Sequence, residues 1–134
     1  MTAPNVAALT RRWLAYAEAD LRIARRLLTP PAEPDGVCYH AQQAAEKALK
    51  AALIFEQIEP PKIHSLDALR NLLPIRWTVR QAAPTLQDLS DWVAESRYPG
   101  NWPGATVADA SAALVLAETV VAAVRADLTA RSIT

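Results

Sequence analysis

The stretch Val37–Lys50, V-C-Y-H-A-Q-Q-A-A-E-K-A-L-K, limits what this chain can fold into more than any other. It lacks Gly and Pro and is rich in Ala, Gln, Glu, Lys and Leu, residues that lose little side-chain freedom in a helix. Ala41, Ala44, Ala45, Ala48 and Ala52 make one face of small side chains. Such a face lets a neighbouring helix approach closely and predicts the centre of a bundle. His40, Gln43, Lys47 and Lys50 fall at spacings of three and four and form a polar stripe on another face. The helix is therefore either a core helix with a wet back or the floor of a binding groove.

The flanking segments also read as helices. Leu9, Trp13, Ala17, Leu21, Ala24 and Leu28 form an apolar stripe that predicts a helix from about Asn5, a possible N-cap, to Leu28. Glu18 and Arg22 are placed for an i,i+4 pair. Thr29-Pro30-Pro31 ends this helix, because proline offers no N–H and clashes with the preceding turn. Asp35 is the predicted cap of the second helix, which should last to about Gln57 before Pro60-Pro61. Ser65 should cap a third segment with Leu66, Leu69, Leu72 and Leu73 facing inward, ended by Pro74. Residues 75–83 read as a loop with one helical turn. Pro84 suits the first position of a further helix to about Arg97, with Leu86, Leu89 and Val93 inside and Asp88, Asp91 and Glu95 outside. Y-P-G-N-W-P-G is a loop. Thr106-Val107-Ala108-Asp109 resembles a capping box, and Val107, Ala110, Leu114, Ala117, Val121, Val124 and Leu128 carry the last stripe. Four helical segments, the third broken, with short connections predict an all-α, up-down four-helix bundle.

A chain of 134 residues suits one domain spanning residues 1–134, and 51% hydrophobic content with three Gly suits packed helices. Cys38 is the only cysteine, so no internal disulfide forms and a reducing compartment is expected. The segment M-T-A-P-N-V lacks the basic and apolar regions of an export signal, and no stretch reads as a membrane span. The expectation is a cytoplasmic protein without a membrane partner. A formal net charge of zero weighs against strong non-specific nucleic-acid binding. The charge is uneven, however: residues 1–30 hold five Arg against Glu18 and Asp20, which leaves room for a local basic patch.

Several chemistries fail on spacing. Gly occurs only at 36, 100 and 104, which rules out Gly-rich phosphate loops and dinucleotide fingerprints. One Cys excludes a Cys-based zinc site. Val37 and Pro61 stand three residues before His40 and His64, so the Glu-x-x-His pairs of a di-iron bundle are missing. No Ser lies in a nucleophile elbow. No metal or cofactor is implied.

Four stretches carry a resemblance: W-L-A-Y-A-E-A-D-L-R-I-A (13–24), C-Y-H-A-Q-Q-A-A-E-K-A-L-K-A (38–51), P-P-K-I-H-S-L-D-A-L (60–69) and A-E-S-R-Y-P-G (94–100). Together they resemble the HEPN domain, a nucleotide-binding helical domain of prokaryotes and eukaryotes, over about residues 10–128. The resemblance implies a four-helix up-down bundle with a short extra helix, a homodimer, and a minimal nucleotidyltransferase partner in a toxin–antitoxin-type module. Many members are metal-independent RNases whose Arg precedes a His by four to six intervening residues. Here the positions that would pair with His40 are Glu33, Pro34 and Asp35, and those for His64 are Gln57, Ile58 and Glu59. After Arg97 they are Trp102, Pro103 and Gly104. The usual catalytic pair is absent, and R-Y-P stands in its place.

The candidate residues follow. Arg97 could grip a phosphate through its guanidinium fork, or pair with Glu95 or a helix end. Tyr98 could stack on a base or pack on the bundle. His40 could act as a general base or ligand contact, or as a half-buried tie between helices. Gln43, Lys47 and Lys50 either line a groove or form a solvated face. His64 reads as structural. Trp77 and Trp102 fall in predicted loops, which suggests an interface role for one of them. Three readings result: a nucleotide- or RNA-binding domain using Arg97, Tyr98, His40, Gln43, Lys47 and Lys50; a metal-independent RNase using Arg97 and His40; or a non-catalytic interaction bundle.

Overall fold

The computed structural model describes residues 3–82, 85–93 and 104–133, and among these every regular element is helical. Three helices are long: α1 (Ala3–Leu28), α2 (Pro34–Phe55) and α6 (Val107–Ala130). Between α2 and α6 lie α3 (Leu66–Asn71), α4 (Val79–Ala82), α5 (Gln87–Ser90) and a 3-10 turn, Asp91–Val93.

Among the described residues α1 spans Ala3–Leu28, so Asn5 lies within the helix and is not its cap. Val6, Thr10, Leu14, Ala17, Leu21 and Ala24 are buried, while Leu9, Trp13 and Leu28 sit half-buried at the stripe's edge. Helix α2 runs antiparallel to α1. At one end Gly36 meets Leu27, where an added Cβ would come within 2.8 Å of the Leu27 Cδ1 atom. At the other end the Lys50 ammonium lies 5.5 Å from the Trp13 ring centre. Ala41, Ala44, Ala45, Ala48 and Ala52 are all fully buried, as the small-residue face predicts.

The N-cap of α2 is Glu33, followed by Pro34, and Asp35 is displaced into the first turn. Its Oδ1 instead accepts the Ala105 N–H at 2.7 Å, tying the start of α2 to the lead-in of α6. Helix α2 stops at Phe55, and Gln57 turns the chain with φ 57°.

Helix α6 also runs antiparallel to α1. Arg25 pairs with Glu118 at 3.0 Å, Glu18 with Arg125, and Arg11 reaches the Ile133 carbonyl at 3.5 Å. The predicted Glu18–Arg22 pair does not form. A cross-helix guanidinium takes the carboxylate instead of a neighbour on the same helix, where such a pair is worth only ~0.3–0.5 kcal/mol. The box at the start of α6 closes in both directions, Asp109 N–H to Thr106 Oγ1 at 3.0 Å and Thr106 N–H to Asp109 at 2.9 Å. The predicted inner residues are buried except Val107, which is 54% exposed. Helix α6 also corrects the expectation about apolar length. With a mean hydropathy of 1.8 it is long and apolar enough to cross a membrane, and 44% of that window is buried in the bundle.

The region between α2 and α6 is made of short pieces. Ser65 caps α3, accepting the Ala68 N–H at 3.2 Å. Leu66, Leu69 and Leu73 are buried, but Leu72, the C-cap of α3, falls off the face that these three share and is exposed. Residues 75–82 hold the single turn expected. Trp77 is not an interface residue: it is fully buried, gives its indole N–H to Glu56 at 2.8 Å, and lies under the Arg131 guanidinium. The described part of the predicted 84–97 helix is only α5 and the 3-10 turn, with Leu86 and Leu89 buried as expected. Side chains compete with the helix ladder here. Asp67 takes the Leu86 N–H at 2.8 Å, and Ser90 Oγ takes the Leu66 N–H at 2.9 Å. Pro84, Glu95, Arg97, Tyr98, Trp102 and the predicted loop up to Pro103 lie outside the described residues.

Candidate functional site

The seam between α1 and α2 carries the polar stripe. Its centre is Asp20, which sits among Ala17, Leu21 and Ala24 on the inner side of α1 with a side chain only 8% exposed. A carboxylate so placed must be paired or hydrogen-bonded. Asp20 Oδ1 lies 2.9 Å from His40 Nδ1, and Oδ2 accepts from Lys47 Nζ at 2.6 Å. His40 and Lys47 stand two turns apart on α2, so one acid of α1 spans both.

That geometry sets the chemistry each group presents. A carboxylate accepts, so a neutral His40 carries its proton on Nδ1 and offers a bare Nε2. Among the described residues Nε2 makes no hydrogen bond. Lys47 spends one N–H on Asp20 and keeps two for another acceptor. Both side chains are about a quarter exposed, so they reach the surface from a buried anchor. The Tyr39 ring meets the His40 ring edge to face at 5.2 Å. One turn before Asp20 lies Tyr16, whose hydroxyl accepts from Arg12 Nη2 at 3.0 Å. That hydrogen bond and the Arg12 charge hold the Tyr16 hydroxyl below the usual phenol range, with a smaller push from Lys47, and Arg12 in turn is raised. Tyr16 and Tyr39 are both about half exposed.

A second acid lies further along α2. Glu46 is buried and accepts from Gln42 at 3.2 Å and Lys50 at 3.1 Å. His64 Nδ1 stands 3.7 Å from it, on a side chain 77% exposed. Gln43 donates to Gln42 at 2.8 Å. Lys50 thus lies between Glu46 and the Trp13 face. Among the described residues no group of three or more His, Cys, Asp or Glu could hold a metal ion.

The HEPN domain family model matches residues 10–127, which takes in the whole seam. The chain belongs to the HEPN domain family. No curated protein and no solved structure matches it. Of the residues expected to form the site of this HEPN domain, His40, Gln43, Lys47 and Lys50 lie along one side of α2. His40 and Lys47 share Asp20, while Gln43 and Lys50 join the Gln42–Glu46 group. Arg97 and Tyr98 lie outside the described residues. The HEPN seam also uses residues that periodicity alone did not single out: Asp20, Glu46, Tyr16 and Arg12. A signal existed for the first two. Asp20 and Glu46 are acids set among apolar residues at helical spacing, and an acid there needs a partner from elsewhere.

Proposed function

We propose that this HEPN protein binds a nucleotide or RNA segment on the α1–α2 seam. The supporting observation is the Asp20-anchored pair, His40 with an open acceptor nitrogen and Lys47 with open donors, flanked by exposed Tyr16 and Tyr39. Lys47 suits a phosphate oxygen, His40 Nε2 suits a base N–H or ribose hydroxyl, and the tyrosines offer stacking surfaces. Gln43 and Lys50 extend the polar edge. Arg97 and Tyr98 join this reading through the R-Y-P stretch. Fluorescence anisotropy with labelled single-stranded RNA, and competition by free nucleotide, tests it. His40→Ala and Lys47→Ala should each weaken binding about tenfold, the equivalent of ~1.4 kcal/mol. Unchanged affinity in both variants would remove the site.

The Asp20–His40 geometry also favours a second reading, a metal-independent endoribonuclease. A carboxylate on Nδ1 makes Nε2 a general base for a ribose hydroxyl, and Arg97 would stabilise the developing phosphate charge. RNA cleavage with EDTA present, lost in His40→Ala and reduced in Asp20→Asn, would support it. No cleavage by the wild type would leave binding alone.

The wider reading is a cytoplasmic homodimer acting with a minimal nucleotidyltransferase in a toxin–antitoxin-type module. Its bundle is up-down, with residues 66–93 as the third leg. Co-expression with such a nucleotidyltransferase, followed by a test for a stable complex, checks the partner.

A further inference from the structure

Helix α1 spends its acids on other helices and leaves most of its arginines outside. Asp20 is taken by His40 and Lys47, and Glu18 by Arg125 of α6. Among the arginines, Arg25 pairs with Glu118, and Arg11 reaches the Ile133 carbonyl. Arg12, Arg22 and Arg26 hold no carboxylate among the described residues, and Arg22 and Arg26 make no hydrogen bond there either. With Ala15 and Ala19 these three recur at spacings of three and four, so they share one face, and all three are exposed. Arg26 belongs to the last turn, where the free carbonyls favour a cation, but Arg22 lies a turn earlier and lacks that support. Arg22 and Arg26 also repel each other as like charges at i,i+4. The face is thus positive along its length, with no acid of α1 to offset it.

This row adjoins the α1–α2 seam. Arg12 donates to the Tyr16 hydroxyl at 3.0 Å and lies 5.8 Å from the centre of that ring, so it belongs to both. Arg12 and Arg26 stand about 21 Å apart along the axis, at a rise of 1.5 Å per residue. One nucleotide cannot reach from end to end. A polynucleotide supplies a phosphate at every unit, and each phosphate fits a guanidinium fork. The alanines between the arginines let a sugar-phosphate backbone close on the helix. They offer no large anchor for a protein partner and no apolar side chain to sink into a lipid surface.

We propose that the Arg12, Arg22 and Arg26 face of α1 is a track for the phosphate backbone of single-stranded RNA whose bases turn into the seam, so that the ligand is a polynucleotide and not a free nucleotide. The proposal rests on the seam reading, in which His40, Lys47 and the tyrosines contact a nucleotide, and it adds the neighbouring phosphates. A single strand fits because its unpaired bases can splay toward Tyr16 and Tyr39, which duplex bases cannot do. The track also places a basic surface on a chain of zero formal net charge: the acids of α1 are held in pairs with α2 and α6, while three arginines gather on one face.

Fluorescence anisotropy with labelled oligouridine across a salt series, beside competition by uridine monophosphate, tests the track. For a single strand, log K falls against log salt by about 0.7 per phosphate neutralised. Arg22→Gln with Arg26→Gln in the same chain should therefore flatten the slope by about 1.4. The helical circular dichroism spectrum and the affinity for uridine monophosphate should not change. Arg25→Gln removes a charge from the same helix but off the face, and should keep the wild-type slope. A slope that the double variant leaves intact, or oligouridine bound no more tightly than the monophosphate, would overturn the track. The seam reading would survive either result if His40→Ala and Lys47→Ala still weaken binding. Flattening by Arg25→Gln as large per charge would reduce the effect to net charge and also overturn the track. No binding of either probe by the wild type would overturn both readings. Binding to phosphatidylserine vesicles and not to oligouridine, lost in the double variant, would assign the face to lipid headgroups instead.

Discussion

Two buried acids, Asp20 and Glu46, occupy neighbouring stretches of one seam, and they differ in reach. Each carboxylate holds a lysine of α2 and faces one of the two histidines. Asp20 projects from α1 and takes both partners from α2, 20 and 27 residues away. Glu46 takes its hydrogen bonds from Gln42 and Lys50, one turn either side of it on the same helix. Its histidine stands off at 3.7 Å on an exposed loop. The first acid therefore joins two helices and fixes the orientation of a half-buried imidazole. The second neutralises a polar side of a helix that would be present in any packing of α2. A buried carboxylate becomes a site-building element when its partners come from another element, because only then does the fold determine what those partners present.

The largest expected effect tests that distinction. Asp20→Ala removes both tertiary contacts and leaves Lys47 and His40 facing an apolar gap. Breaking a buried pair costs roughly 3–5 kcal/mol when the orphaned charge stays buried. Here both partners can turn toward water, so about 2–3 kcal/mol is expected from urea unfolding. Asp20→Asn keeps the shape and should recover part of the loss. Glu46→Ala should cost less, about 1–2 kcal/mol: Lys50 can swing to solvent, and the main loss is the acceptor of the buried Gln42 amide N–H, whose carbonyl oxygen keeps Gln43. If the two alanine variants lose equal stability, the contrast between the acids fails.

How far the sequence carries this contrast depends on distance along the chain. The helix that holds Glu46 was legible from residues 37–50, and so were the ends of α1 at Leu28 and of α6 at its Thr106–Asp109 box, because these are local events. His40 and Lys47 were legible as a stripe for the same reason. Asp20 was not identified as their anchor, since nothing within one turn of α1 explains it and its partners lie on another helix. Glu18 shows the same limit: the neighbour rule points to Arg22, while folding brings Arg125 from over a hundred residues away. Asp35 and Leu72 failed on element boundaries. Asp35 entered the first turn because Pro34 already occupies the first helical position, and Leu72 is exposed at the C-cap of α3, off the face that Leu66, Leu69 and Leu73 share. Trp77 read as a loop residue and so as an interface candidate; its burial depends on Glu56 and Arg131, which local pattern could not supply.

The two histidines extend the comparison at lower energy. His40→Ala leaves Asp20 its lysine and should cost about 1 kcal/mol, while His64→Ala, at an exposed position 3.7 Å from Glu46, should change stability by less than about 0.5 kcal/mol. The binding readout should separate them further. His40→Ala should lose RNA affinity about tenfold, whereas His64→Ala should retain it. Equal losses in both would place the ligand at the Glu46 end of the seam.

The smallest effect concerns the phenol beside the Asp20 cluster. Tyr16 is lowered because Arg12 donates to its hydroxyl and places a positive charge beside it, with Lys47 adding to the pull. Arg12→Ala should therefore return Tyr16 most of the way to an ordinary phenol, measured as the difference in phenolate absorbance between the Arg12→Ala chain and the same chain carrying Tyr16→Phe. The sign for stability follows from the direction of the shift. A group whose folded pKa lies below its unfolded value contributes its full stability above the unfolded value, about 10 for a phenol, and loses it as pH falls through the folded value. At neutral pH Tyr16 is protonated in both states, so Arg12→Ala should leave the melting temperature there unchanged and lower it relative to wild type only in strong base. Asp20→Ala provides the cross-check. It frees Lys47 from its anchor and so should move the Tyr16 titration slightly, whereas Glu46→Ala, which touches neither Arg12 nor Lys47, should not move it at all. A Tyr16 shift caused by Glu46→Ala would mean that the two acids act as one network, and the distinction between them would collapse.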